Sequence, residues 1–147
     1  MALLSPPDQD KLRTAFNDMT APVRLRLFTQ TLDCDTCPQT RQILDELPVL
    51  SEKISVEEVN FLLDRDTATQ YGVDRVPAVA VDALDENGAP RDARIRFVGA
   101  PTGYEFISLV QAVLLVGGRP STLSEENQRR VMAVSQPVHL QVFTTPT

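Results

Sequence analysis

The chain of 147 residues lacks most of what common binding classes require. Positive charge is in deficit: 14 Lys and Arg against 20 Asp and Glu leave a formal charge of −6. That balance excludes the clustered basic surface on which nucleic acids or anionic membranes bind. Long hydrophobic runs are missing too. The longest, FISLVQAVLLV at 106–116, is too short to cross a bilayer. MALLSPPDQDK at the start has no basic n-region of a secretory signal, so a cytoplasmic location is expected. One histidine and two cysteines fall short of the four ligands of a structural zinc site, so no metal is expected. Neither a GxGxxG nor a P-loop pattern occurs, and no cofactor is expected.

What is present is enough apolar content, 42%, for one ordinary domain that needs no staples. Both cysteines fall in one stretch, TLDCDTCP at 31–38, as Cys34 and Cys37. In a reducing compartment such a pair is rarely a structural staple, which leaves a redox pair, half a metal site, small core residues or a vestigial site. Ligand count disfavours the metal, and Asp33, Asp35 and Thr36 make the segment polar for a core.

The surrounding pattern places the pair. Ser5 caps a helix with Pro6 and Pro7 in its first turn and Leu12, Phe16 and Met19 on one face. VRLRLF (23–28) alternates as a strand, and TRQILDEL after Pro38 is helical, so Cys34 is expected at the mouth of a helix beginning near Cys37. ISVEEVNF (54–61) reads as a strand, DTATQYG (66–72) as a short helix, and PAVAVDAL (77–84) and ARIRFVG (93–99) as a hairpin around Glu86-Asn87-Gly88. Thr102 and Glu105 are spaced as a capping box for a helix over 105–116, closed by Gly117-Gly118. A further helix from 121–127 and a strand at VHLQVF (138–143) follow.

The last strand resembles the first: VRLRLFT and VHLQVFT share Val, Leu, Phe and Thr. The expected organisation is therefore an α/β domain over 1–120, with a central mixed sheet covered by helices on both faces. Residues 121–147 then begin an incomplete second unit. A strand without partners of its own repeat must join a sheet edge or another chain, so a homodimer is expected.

Thiol exchange needs an exposed, stabilised thiolate and a second thiol close enough to attack the mixed disulfide. A helix start favours the anion at the first cysteine. Cys34 is thus read as the nucleophile and Cys37 as the resolving thiol. Asp33 and Asp35, as like charges beside Cys34, oppose its thiolate and point to a reductant rather than a strong oxidant.

The cysteine pair, the helix and the segment YGVDRVPAVAV (71–81) together resemble the thioredoxin superfamily. The resemblance implies a cis Val76-Pro77 bond, with Pro77 shaping the binding surface and the Val76 backbone free to pair with a substrate peptide. NDMTAPVRLRLF, RIRFVGAPTGYEFISLVQAVLLVGGRPS and VHLQVFTTPT resemble more particular relatives, the glutaredoxin-like protein disulfide oxidoreductases and the N-terminal domain of the alkyl hydroperoxide reductase flavoprotein. Both relatives are tandem thioredoxin folds. The implied function is thiol–disulfide exchange with disulfide-containing proteins, supplied by a flavoprotein reductase or by a glutathione or thioredoxin system. The other reading is a redox-inactive docking half-domain that packs against a second thioredoxin unit or a flavoprotein reductase. In thioredoxins a buried carboxylate stands six positions before the first cysteine, where this chain has Phe28. Deprotonation of Cys37 is then expected to rely on water or on another group such as Glu58 or Asp64. Tyr71 and Phe97 read as core, and Arg75 as a solvated loop charge.

Overall fold

The computed structural model describes residues 3–145; Met1, Ala2, Pro146 and Thr147, the extreme ends of the two expected units, lie outside the described residues. Helix α1 spans Pro6–Phe16, with the Ser5 hydroxyl oxygen accepting from the Asp8 N–H as its N-cap. Strand β1 (Val23–Thr29) leads into helix α2 (Cys37–Asp45), followed by β2 (Ile54–Asn60), α3 (Arg65–Gln70), β3 (Ala78–Leu84), β4 (Pro90–Val98), α4 (Tyr104–Val116) and α5 (Glu125–Met132).

The strands form one mixed sheet in the order β2-β1-β3-β4, with β1 and β2 parallel and β3 antiparallel to both β1 and β4. Side-chain alternation divides it into two faces. On one face Leu25 and Leu27 of β1 and Val79 and Val81 of β3 pack with Phe16, Leu44, Leu109 and Val113 from α1, α2 and α4. On the other, Phe28, Val59, Ala78 and Ala80 meet Ala68 and Tyr71 of the α3 region. Helices thus cover both faces, as the alternation of strands and helices predicts, but three lie on one side and the shortest on the other. Gly117-Gly118 closes α4 as expected. Gly118 has a φ of +98° and lies so close to the α1–β1 turn that an added Cβ would meet the Thr20 hydroxyl at 2.1 Å.

Two expectations are corrected. The capping box does not form: α4 begins at Tyr104 after Gly103, whose φ of 57° turns the chain into the helix with no side-chain cap. Thr102 contributes its carbonyl, which accepts from the Glu105 N–H at 3.1 Å. Residues 138–143 form no strand. Val138, Leu140, Val142 and Phe143 are 65–89% exposed, and the segment joins neither sheet edge. Strand geometry requires a hydrogen-bonding neighbour, and alternation alone cannot supply one. Helix α5 likewise buries no residue. No helix among the described residues is long and apolar enough to cross a membrane.

Candidate active site

Three chain segments converge at one end of the sheet. Thr29 ends β1 opposite Asn60 at the end of β2, and Phe28 pairs with Ala78 at the start of β3. The cysteine loop leaves β1 at this end, and Val76-Pro77 enters β3 at the same end. Cys34 and Cys37 are joined as a disulfide with their Cα atoms 5.4 Å apart. Cys37 opens the first turn of α2 and is 2% exposed, its N–H donating to the Cys34 carbonyl at 3.4 Å. Cys34 lies before the helix and is half-buried. The loop thereby leaves Cys34 partly open to solvent and encloses Cys37.

The Val76-Pro77 bond is cis. Pro77 is buried and its carbonyl accepts from Gly99 at 2.9 Å, which ties the head of β3 to the end of β4. The ladder starts only at Ala78, so Val76 stands ahead of the paired backbone. Arg75 is exposed and pairs with Asp74, as its reading as a loop charge requires.

The two expected proton acceptors part company. Asp64 is committed to α3: its Oδ1 accepts from the Thr67 N–H at 3.1 Å and its Oδ2 from the Thr67 hydroxyl at 2.8 Å. Glu58 faces Leu27 across the β1–β2 pair and so lies on the side of the sheet covered by α2. Its carboxylate pairs with Arg41 of α2. Both line a cavity of about 240 Å³ that Cys37 also lines.

Behind the loop that carries Val76 lies a charged cluster that the sequence pattern alone does not reveal. Asp82 is fully buried and Arg26 is 7% exposed. Arg26 donates to Asp82 through Nε at 3.2 Å and to Glu57 through Nη1 at 3.1 Å, and its Nη2 forms an ion pair with the Asp82 carboxylate at 3.1 Å. The Tyr71 hydroxyl donates to the Asp82 carboxylate at 2.9 Å, and the guanidinium groups of Arg26 and Arg96 lie 4.9 and 5.0 Å from the Tyr71 ring centre. Arg96 Nε also donates to the Tyr71 carbonyl at 3.0 Å. Tyr71 is buried, as expected, but as the hub of a polar network rather than as plain core. The available signal was Asp82 itself, an acid within the apolar run AVAVDAL, on the face of β3 that Arg26 shares.

Burial, and then the hydrogen bond to Asp82, push the Tyr71 phenol above its ordinary value of 10.0. A phenol whose folded-state value is raised contributes stability that is full below pH 10 and is lost as pH rises through the folded value. Urea unfolding of the protein and of Tyr71→Phe across this range should show the alkaline loss in the former and a shallower one in the latter. Parallel slopes would mean that Tyr71 is not its source.

No family model matches the chain. It is 32% identical over 89 residues to the "Probable Thioredoxin" of Methanothermobacter thermautotrophicus, covering 60% of this chain and 92% of that protein. The chain belongs to the thioredoxin family. Together with the Cys34–Cys37 disulfide, membership makes this thioredoxin-family chain a thiol–disulfide oxidoreductase, and a redox-inactive docking domain is not favoured. It is also 31% identical over 113 residues to an NADH dehydrogenase of Bacillus subtilis, covering 77% of this chain but 19% of that protein. Among solved structures, the AhpF component of the Enterococcus faecalis alkylhydroperoxide reductase superposes with a TM-score of 0.77 at 27% identity, over 88% of this chain and 60% of that one. A protein disulfide oxidoreductase of Aeropyrum pernix shares the fold with a TM-score of 0.71 at 21% identity, over 88% of this chain and 54% of that one.

Proposed function

We propose that the chain is a glutaredoxin-like reductant of protein disulfides, in which Cys34 attacks the substrate disulfide, Cys37 resolves the mixed disulfide, and Val76 and Pro77 shape the surface that receives the substrate peptide. The observation that carries this reading is the asymmetry of the pair, with Cys34 half-buried on the loop and Cys37 2% exposed on α2. A thiol partly open to solvent can meet a protein substrate; an enclosed one can act only within the molecule. Timed alkylation of the reduced protein near neutral pH, read by peptide mass, should label Cys34 at least about tenfold faster than Cys37. Equal rates would reverse the assignment.

The donor we propose is a flavoprotein reductase, supported by the likeness to the alkylhydroperoxide reductase component and to the NADH dehydrogenase. The working location is the cytosol, where such a donor keeps the pair reduced. Residues 121–147 are proposed to begin a second thioredoxin-like unit. The support is the resemblance of 138–144 to 23–29 and the uncovered apolar side chains of Val131, Met132, Leu140 and Phe143. The expected homodimer would cover the same side chains, and light scattering at high protein concentration separates it from a monomer.

A further inference from the structure

We infer that Glu58 is the proton acceptor of Cys37, a role for which this chain has no carboxylate at position 28. The inference rests on the dithiol reading above and adds the group that makes the resolving step work at neutral pH. Cys37 is 2% exposed, and a buried thiol in apolar surroundings holds its proton, so it needs an acceptor at hand. The face of the sheet that α2 covers is apolar, with Leu27 and Leu44 fully buried in one cluster. The open side of Cys37 is the 240 Å³ cavity bordered by Thr29, Gln30, Arg41, Glu58 and Asn60, roomy enough for a bridging water.

Glu58 is the carboxylate that borders this cavity. Asp64 is occupied as the cap of α3. Asp33 and Asp35 are exposed on the loop beside Cys34. The charged groups facing the Cys37 side of α2 are therefore Arg41 and Glu58, with Asp45 behind, 3.5 Å from the Arg41 guanidinium. Arg41 fixes the Glu58 carboxylate over the cavity. In the resolving step the Cys37 thiol proton passes to Glu58 through a water. The Cys37 sulfur then attacks Cys34 Sγ, the bond from Cys34 to the substrate sulfur breaks, and the substrate thiolate leaves with the electron pair. The dithiol is oxidised by two electrons and the substrate is reduced.

The test is a stopped-flow reaction of the reduced full chain with an aromatic disulfide whose released thiolate is coloured. The first release reports attack by Cys34, and the second reports resolution by Cys37. Glu58→Gln should leave the first release unchanged and slow the second by roughly 100-fold near neutral pH, with the deficit closing as pH rises. Glu58→Asp should recover much of the rate, because the carboxylate returns with a shorter reach. An unchanged second release in Glu58→Gln, or equal slowing of both releases, would overturn the assignment of Glu58. Absence of any second release from the unaltered protein would instead overturn the dithiol reading, and the two failures are distinguishable.

Discussion

Replacing Cys34 with serine is expected to lower dithiol-driven reduction of insulin by about a thousandfold or more. The hydroxyl is no thiolate at neutral pH and cannot form the mixed disulfide, so the first covalent step has no nucleophile. Cys37→Ser should behave differently. Cys34 still attacks, and the substrate then remains attached to it as a mixed disulfide detectable by mass. Because Cys34 is only half-buried, its substitution should leave the urea midpoint of the reduced protein nearly unchanged. Full activity in Cys34→Ser would remove the chain from exchange chemistry. Trapping on Cys37 instead of Cys34 would exchange the two roles.

The largest effect on stability is expected at Asp82. Its fully buried carboxylate is held by Arg26 and the Tyr71 hydroxyl, so Asp82→Ala would strand a buried guanidinium and a buried phenol together. Breaking such a pair from one side costs about 3–5 kcal/mol, and Asp82→Asn, which keeps an acceptor oxygen, should cost less. Tyr71→Phe deletes only one donor and should cost about 1.5–3 kcal/mol, in the range for a hydrogen bond to a charged group. Urea unfolding of the single and double variants gives the coupling between positions 71 and 82 directly. Additive losses would mean that the Tyr71–Asp82 bond contributes nothing beyond its parts. Arg96 reaches the Tyr71 carbonyl from β4, so the cluster also anchors the residue from which the chain turns toward Val76 and Pro77. Loosening it should therefore reduce activity on peptide disulfides more than the alkylation rate of Cys34.

Much of this arrangement is legible in the sequence, for local reasons. Val23, Leu25 and Leu27 alternate because β1 packs one face on α2 and α4, and Cys37 starts α2 where Pro38 sits comfortably in a first turn. The turn at 86–88 is marked by its glycine, and Asp85 completes it by accepting from the Asn87 and Ala89 N–H groups. What escapes is nonlocal. Alternation assigns Arg26 to a polar face, and only the antiparallel pairing of β1 with β3 reveals that this face is buried and holds Asp82 within reach. Glu58 is visible as a candidate, but its selection over Asp64 needs the β1–β2 register and the cap of α3. The strand expected at 138–143 has the right alternation, yet a strand is made by its neighbour, and the segment pairs with neither edge of the sheet.

The most direct test of redox function is a titration of Cys34 and Cys37 in thiol–disulfide buffers, quenched by alkylation and read by mass, with Cys34→Ser as the control. A single two-electron transition between roughly −270 and −200 mV, the range spanned by thioredoxins and glutaredoxins, is the predicted result. Two thiols that stay reduced and independent across the whole range would contradict it.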